Sequence, residues 1–369
     1  MALQYQREDG CRAWLAYARC SPRTVIDLVE QWGSAEAVYD QTLRDRGECL
    51  RSVMRPAAVQ RLLEQARPDA MHEMMVLLRD NGIRVVWYDD YLYPDALRSI
   101  QDPPALLFAR GDLSCVNGRC LTIVGSRNAS PRGTAACEQL SESLARQGVT
   151  IVSGLAPGID TAAHTGSVKA RAPGIGIMAC GLEQDYPSRS RGLKQDLLRC
   201  GGLLLSEYPP GVRVFKGSFP RRNRILSGIS RGVVLMEARI RSGSMTTVQH
   251  ALDQGREVFA WPGEAGSDWS EGAHQLLREG ARYFVTAEDI LEDLGWAVDR
   301  AVSPAEKSVL PQLSPPMHQV LTALHKGEKS MDELAHETGL DISALSTALT
   351  LLQMYGLVRA LPGKVYCIV

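Results

Sequence analysis

From the N-terminus to about residue 80, apolar residues recur at helical spacing, most clearly in CRAWLAYARCSPRTVIDLVEQWGSAEAVYDQ and AAVQRLLEQA. No strand signal appears before Ile83. From there to about residue 297 the pattern changes to short apolar or β-branched runs that each end in glycine and lead into a helical segment: CLTIVGSR, GVTIVSGLAPGID, GIGIMACGLEQDYP, GGLLLSEYPPG, RGVVLMEARIRSG and REVFAWPG. Strands buried on both faces read in this way, and the alternation predicts an α/β domain with a doubly wound parallel sheet. A Pro- and Ser-rich stretch, AVSPAEKSVLPQLSPP, predicts a linker. Beyond it MHQVLTALHKG, SMDELAHETGL and DISALSTALTLLQMYG predict three helices, and LVRALPGKVYCIV a hairpin turning at Pro362-Gly363, which together make a winged-helix pattern. The expected divisions are residues 1–80, 81–297, a linker over 298–314, and 315–369.

Composition adds limits. The chain of 369 residues is 45% hydrophobic and 22% charged, with a formal net charge of −1, so contact with a polyanion has to come from a local patch. One such patch exists: Tyr208 to Met236 contains no Asp or Glu but carries Arg213, Lys216, Arg221, Arg222, Arg224 and Arg231. Nine scattered cysteines without a C-x-x-C pair argue against a disulfide framework or a zinc site and for a reducing compartment. The N-terminus MALQYQREDGCRAW lacks a signal-peptide pattern and no apolar run reaches the length of a membrane span, so the expected location is cytoplasmic.

In a doubly wound sheet ligands sit beyond the carboxyl ends of the strands. The first glycine-rich exit, IVGSRNASPRG, lacks the G-x-G-x-x-G set, with Gly125 and Gly133 wrongly spaced for a dinucleotide. Gly125-Ser126-Arg127 instead offers backbone N–H groups and a guanidinium to a phosphate, the alternative being that Arg127 pairs with a carboxylate. The second exit, SGLAPGIDTAAH, places Ser153 and Gly154 before a tight turn, where they are expected among the DNA-binding residues; Asp160 is expected to N-cap the following helix, and an acid/base pair with His164 is the minor reading. In EARIRSGSMTT, Ser242-Gly243-Ser244 precedes a helix whose N–H groups suit an anion, or simply caps it. Neither a Walker A sequence nor an H-E-x-x-H spacing occurs, so no metal or other cofactor is expected.

The stretch FPRRNRILSGIS overhangs the same edge. Its arginines, with Lys216, Phe215 and Phe219, form a basic track interleaved with aromatic rings, which suits single-stranded nucleic acid: cations neutralise phosphates and bases stack on rings. A solvated loop with Phe219 buried is the alternative, and Asn223 is read as a DNA contact or as a brace for the segment's own backbone.

Taken in order, YPDALRSIQDPPALLFARGDL, VGSR, SGLAPGID with AAH, LLSEYPPG, FPRRNRILSGIS, EARIRSGSMTT and GREVFAWPG resemble the bacterial DNA-processing protein A family, also called Smf, from about Tyr88 to Ala287. The resemblance implies an extended Rossmann domain that binds single-stranded DNA, forms a homodimer, and loads the RecA recombinase during natural transformation without enzymatic turnover. It implies a DNA pocket using Arg127, Lys216, Phe219, Arg221, Arg222 and Arg224. It also likens the N-terminal helices to a sterile-alpha-motif-like domain through WGSAEAVYD, although ARCSPRT replaces the family's glycine-rich hairpin. Further departures are Arg132-Gly133 after VGSR, Ser190 in YPSRSRGL and His274 in EGAHQLLREGA. In that last segment Leu276 and Leu277, beside His274, are expected at a two-fold surface, or else in the domain's own core. The helix ISALSTALTLLQMYG contains no Lys or Arg, and from Met317 onward four basic residues face five acidic ones, so the last domain is expected to contact protein rather than duplex DNA. A nucleotide-handling enzyme using the same pocket is the alternative function.

Overall fold

A computed structural model describes residues 6–296, 314–324, 327–354, 358–361 and 365–368. The chain divides into two compact units, Met1–Val298 and Asp299–Val369.

The first unit opens with helices α1 (Arg7–Leu15), α2 (Pro22–Trp32), α3 (Ala35–Asp45), α4 (Glu48–Arg51), α5 (Pro56–Gln65) and α6 (Pro68–Asp80). Pro22, Pro56 and Pro68 each stand in the first turn, where the missing N–H leaves no donor unpaired. Strands β1 (Arg84–Trp87) and β2 (Leu106–Gly111) flank α7 (Asp95–Arg98). An alternating series follows: β3 (Arg119–Val124), α8 (Pro131–Arg146), β4 (Val149–Ser153), α9 (Ile159–Lys169), β5 (Gly174–Met178), α10 (Arg191–Arg199), β6 (Leu203–Ser206), α11 (Ser218–Gly228), β7 (Gly232–Leu235), α12 (Gly243–Asp253), β8 (Glu257–Ala260), α13 (Glu271–Arg278), β9 (Arg282–Tyr283) and α14 (Ala287–Asp293).

The nine strands make one sheet in the order β1-β2-β6-β5-β4-β3-β7-β8-β9. β3 through β9 run parallel, and β2 joins β6 antiparallel and carries β1 on its outer side. β4 to β7 are buried at every position because helices cover both faces. The six glycine-terminated runs of the sequence are the parallel strands β3 to β8. From β3 the chain winds outward to β6, then returns to lay β7 on the other side of β3, which puts the reversal of strand order between β3 and β7.

The N-terminal helices share a core with the sheet: Trp14, Leu50, Leu62 and Leu78 pack in the same cluster as Trp87, Phe108 and Leu204. The Trp14 indole donates to the Leu62 carbonyl (2.9 Å), and the Tyr17 hydroxyl reaches across to the Pro210 carbonyl (2.6 Å). The change of pattern near Ile83 therefore marks a change of element type within one compact body.

The second unit has α15 (Pro315–Leu324), α16 (Met331–Thr338) and α17 (Ile342–Met354), with β10 (Lys329–Ser330), β11 (Val358–Leu361) and β12 (Val365–Ile368) paired in the order β10-β12-β11. This is a winged helix around Val320, Leu334, Leu345, Leu349 and Leu352. The outer face of α17 presents Ile342, Ser343, Ser346, Thr347 and Thr350, without a cation. The turn expected at Pro362-Gly363 and almost all of the expected linker lie outside the described residues.

Candidate functional site

Where strand order reverses, the two connections leaving β3 and β7 diverge and a crevice opens. Here it is a cleft of about 450 Å³, bounded by Gly125 to Asn128 after β3, by Phe219, Arg222 and Asn223 of α11, and by Ser242 to Thr247 at the start of α12. Two glycines make the close packing beneath it possible. A Cβ on Gly125 would lie 2.6 Å from Ile159 Cγ1, and Gly158, at φ +77°, would drive one to 2.2 Å from the Ser126 carbonyl oxygen.

Glu237, at the exit of β7, is 3% exposed and holds the β3 exit together. Its carboxylate accepts from the Ser130 N–H (2.8 Å) and hydroxyl (2.6 Å) at the N-cap of α8, and its carbonyl accepts the Ser126 N–H (2.6 Å). That helix N-terminus is thus already served by a protein anion. Of the expected phosphate-binding turn, Ser126 has its N–H engaged internally; what the turn presents outward is Arg127. The Arg127 guanidinium is exposed and stacks 4.4 Å from the Phe219 ring centroid. Among the described residues no carboxylate stands within ion-pair distance of it. Tyr186, half-exposed, meets the same ring at 5.9 Å.

FPRRNRILSGIS is a helix, and this decides where each of its cations goes. Successive residues on a helix diverge by about 100°, whereas those three and four apart share a face. Phe219, Arg222 and Asn223 therefore point to the cleft. Asn223 donates through Nδ2 to the Gly243 carbonyl (3.2 Å), tying α11 to the start of α12, which carries no side-chain cap; the Ser242 and Ser244 hydroxyls bond each other at 2.8 Å. Arg221 and Arg224, expected in the DNA pocket, do not line the cleft. Glu207 binds Arg221 through both carboxylate oxygens (2.9 and 3.2 Å) and Arg224 at 2.5 Å, and Asp102 takes Arg224 Nε at 3.1 Å. The acid-free window is flanked by Glu207, one residue upstream, and folding brings Asp102 to it. Lys216 is exposed just before α11, outside the cleft's lining.

Arg222, 4% exposed, faces inward, donating to the Gly154 carbonyl (3.0 Å), to the Ile177 carbonyl, and through Nε to Asn223 Oδ1 (3.3 Å). Burial lowers its pKa, and the field of Asp160 works against that. Ser153 and Gly154 are used up by the same arrangement: the Ser153 hydroxyl donates to the Ile123 carbonyl (2.7 Å) from a fully buried position, and a Cβ on Gly154 would lie 2.5 Å from the Arg222 guanidinium. Asp160 is not the helix cap. Gly158 occupies the N-cap of α9, and the Asp160 carboxylate turns back to accept the Gly154 (3.1 Å) and Ala156 (3.4 Å) N–H groups. Burial raises its pKa, with Arg222 opposing.

His164 is fully buried, and burial holds its pKa down to about 4. The unfolded chain takes up this proton near pH 6.5, before the folded protein does. Stability is therefore complete above about pH 6.5 and falls as pH drops toward about 4. His164→Gln is expected to flatten that part of a plot of urea midpoint against pH; an unchanged slope would reject the assignment.

The expected dimer residues separate. Leu276 is 4% exposed and belongs to the domain's own core, Leu277 packs half-buried against that core, and His274 Nε2 donates to the Pro262 carbonyl at 2.6 Å. Sequence reasoning missed Glu237, Glu207, Asp102 and Tyr186, although all four lie inside segments singled out above for other residues.

Residues 84–295 match the family model of DNA recombination-mediator protein A, and residues 304–364 match a DprA winged helix domain. The DNA processing protein DprA of Bacillus subtilis is 38% identical over 287 residues, 78% of this chain and 96% of that protein. The X-ray structure of DprA from Streptococcus pneumoniae superposes with a TM-score of 0.64 at 31% identity, covering 79% of this chain and 99% of that one. A structure of DNA processing protein A from Helicobacter pylori, described for its single-stranded DNA binding mode, superposes with a TM-score of 0.52 at 27% identity, over 58% of this chain and 97% of that one.

Proposed function

The chain belongs to the DNA recombination-mediator protein A family, and from that premise we propose that it binds single-stranded DNA in the cleft between β3 and β7, protects the strand, and loads RecA onto it during natural transformation. The observation that carries this reading is the Arg127–Phe219 stack at the mouth of the cleft. A cation without a protein anion neutralises phosphate, and the ring that seats it offers an edge or face to a base. The uncapped start of α12 and the exposed Lys216 extend the same surface. The role is binding without turnover: the Asp160 carboxylate is committed to its own loop and His164 is sealed in the interior. The protein acts in the cytoplasm, and the winged helix, whose α17 face lacks cations, contacts protein.

Fluorescence anisotropy with a labelled dT oligomer across a salt series, beside a nucleotide-hydrolysis assay, tests the function. Salt-sensitive binding without hydrolysis is expected; hydrolysis without binding would replace this reading with the enzyme alternative. Lys216→Ala is expected to weaken binding to all sequences about equally and to make the slope of log affinity against log salt shallower by about 0.7.

The protein works as a homodimer, since two clefts on one strand make the second contact intramolecular. Tyr283 on the edge strand β9 and Val285 just after it are 60% and 65% exposed, close in sequence to the half-buried Leu277. Val285→Glu is expected to give a folded monomer that keeps its affinity for a short oligomer and loses most of it for a long one. Light scattering that still reports a dimer would contradict this surface.

A further inference from the structure

The two arginines that turn away from the cleft face a second, larger one. It has a volume of about 980 Å³ and lies between the N-terminal helices and α11, with Arg19, Arg55, Arg61, Arg221 and Arg224 in its wall and Asp102 as the acid among them. With Glu207 counted behind Arg221 and Arg224, five arginines meet two carboxylates, so three positive charges remain uncompensated.

Several of these cations are held ready for an anion. Arg224 is 5% exposed, and its Nη1 has no hydrogen-bond partner among the described residues. Arg19 lies 4.4 Å over the Phe215 ring with its Nε unpartnered, and burial together with the repulsion of Arg61 lowers its pKa. Arg61 is positioned by the Tyr17 (3.2 Å) and Ala18 (2.6 Å) carbonyls, and Arg55 is exposed. Two helix N-termini also open here, those of α2 at Ser21 and α5 at Arg55, neither with a side-chain cap. Repelling guanidiniums and uncapped N-termini converging on one concavity are what a phosphate chain would neutralise. Pro220 lines both clefts, so a strand leaving the first passes directly into the second.

We propose that this arginine-lined cleft is a second site for the phosphate backbone of single-stranded DNA, continuing the strand held between β3 and β7 past Pro220 onto the N-terminal helices. The inference rests on the single-strand binding proposed above. It gives Arg221 and Arg224 a place on the DNA path without placing them in the first cleft, and it lets ARCSPRT contribute through Arg19 and the start of α2.

Labelled dT oligomers of about 6 and about 25 nucleotides, titrated against the full chain over a salt series, separate the two sites. Arg55→Ala with Arg19→Ala is expected to lower affinity for the long oligomer about tenfold, to reduce its salt slope by about 1.4, and to leave the short one unchanged. Arg55→Ala alone, at an exposed position, keeps the test valid should the double variant not fold, with a slope loss of about 0.7. Unchanged long-oligomer affinity and slope in these variants, while Arg127→Ala still weakens binding, would overturn the second site and leave the first. Unchanged binding in all of them, Arg127→Ala included, would remove both.

Discussion

Phe219→Ala is expected to weaken single-strand binding by about 1–3 kcal/mol, roughly 5- to 150-fold, with almost no change in salt dependence. The ring contacts the Arg127 guanidinium at 4.4 Å, the Tyr186 ring at 5.9 Å and the Arg222 guanidinium at 6.0 Å, so removing it takes away a stacking surface while the Arg127 charge remains to meet phosphate. Stacking releases no counterions, whereas Arg127→Ala removes a phosphate contact and should flatten the salt slope by about 0.7. The two variants thus separate the roles of ring and cation in one titration. Equal slope changes in both would mean that Phe219 acts only through Arg127.

Arg222→Met should destabilise the first unit by about 3–5 kcal/mol, because deleting a buried cation strands the groups that faced it. Those groups are the Gly154 and Ile177 carbonyls at the ends of β4 and β5, and Asp160, whose burial-raised pKa Arg222 opposes. Methionine fills much of the volume but donates nothing. Chemical denaturation should show the loss, and Arg127→Met, at an exposed position against the same Phe219 ring, should stay within about 0.5 kcal/mol of the parent. Similar losses in the two variants would contradict the assignment of one arginine to the scaffold and the other to the ligand.

These contrasts also mark what the sequence could disclose. Strands β3 to β8 were legible because a parallel strand covered on both faces is an unbroken apolar run, and each ends at a glycine that the crossover geometry requires. β1 and β2 join the sheet antiparallel and open no crossover to a parallel neighbour, although β2 itself ends on Gly111, and β9 is two exposed residues, so none reads as part of the wound series. Within the site, Arg127, Phe219 and the Ser242–Ser244 turn were readable as strand-exit chemistry. The orientation of α11 was not: three arginines close in sequence look alike until the helix turns Arg222 one way and Arg221 with Arg224 the other. Their neutralisation depends on Glu207 and on Asp102, 122 residues away along the chain, and only the folded sheet brings Asp102 there. Asp160 had the residue type of an N-cap, yet the tight turn at Gly158 supplies the cap position and frees the carboxylate to bind backward.

The central claim is that single-stranded DNA lies in the β3/β7 cleft against the Arg127–Phe219 stack. Photo-crosslinking of an oligomer containing 5-iodouracil, followed by mass spectrometry of the adduct, tests it directly, since this base couples to aromatic rings that it contacts. An adduct on Phe219 or Tyr186 is the predicted result. Adducts confined to the winged helix, with Phe219 and Tyr186 unmodified in the bound complex, would contradict it.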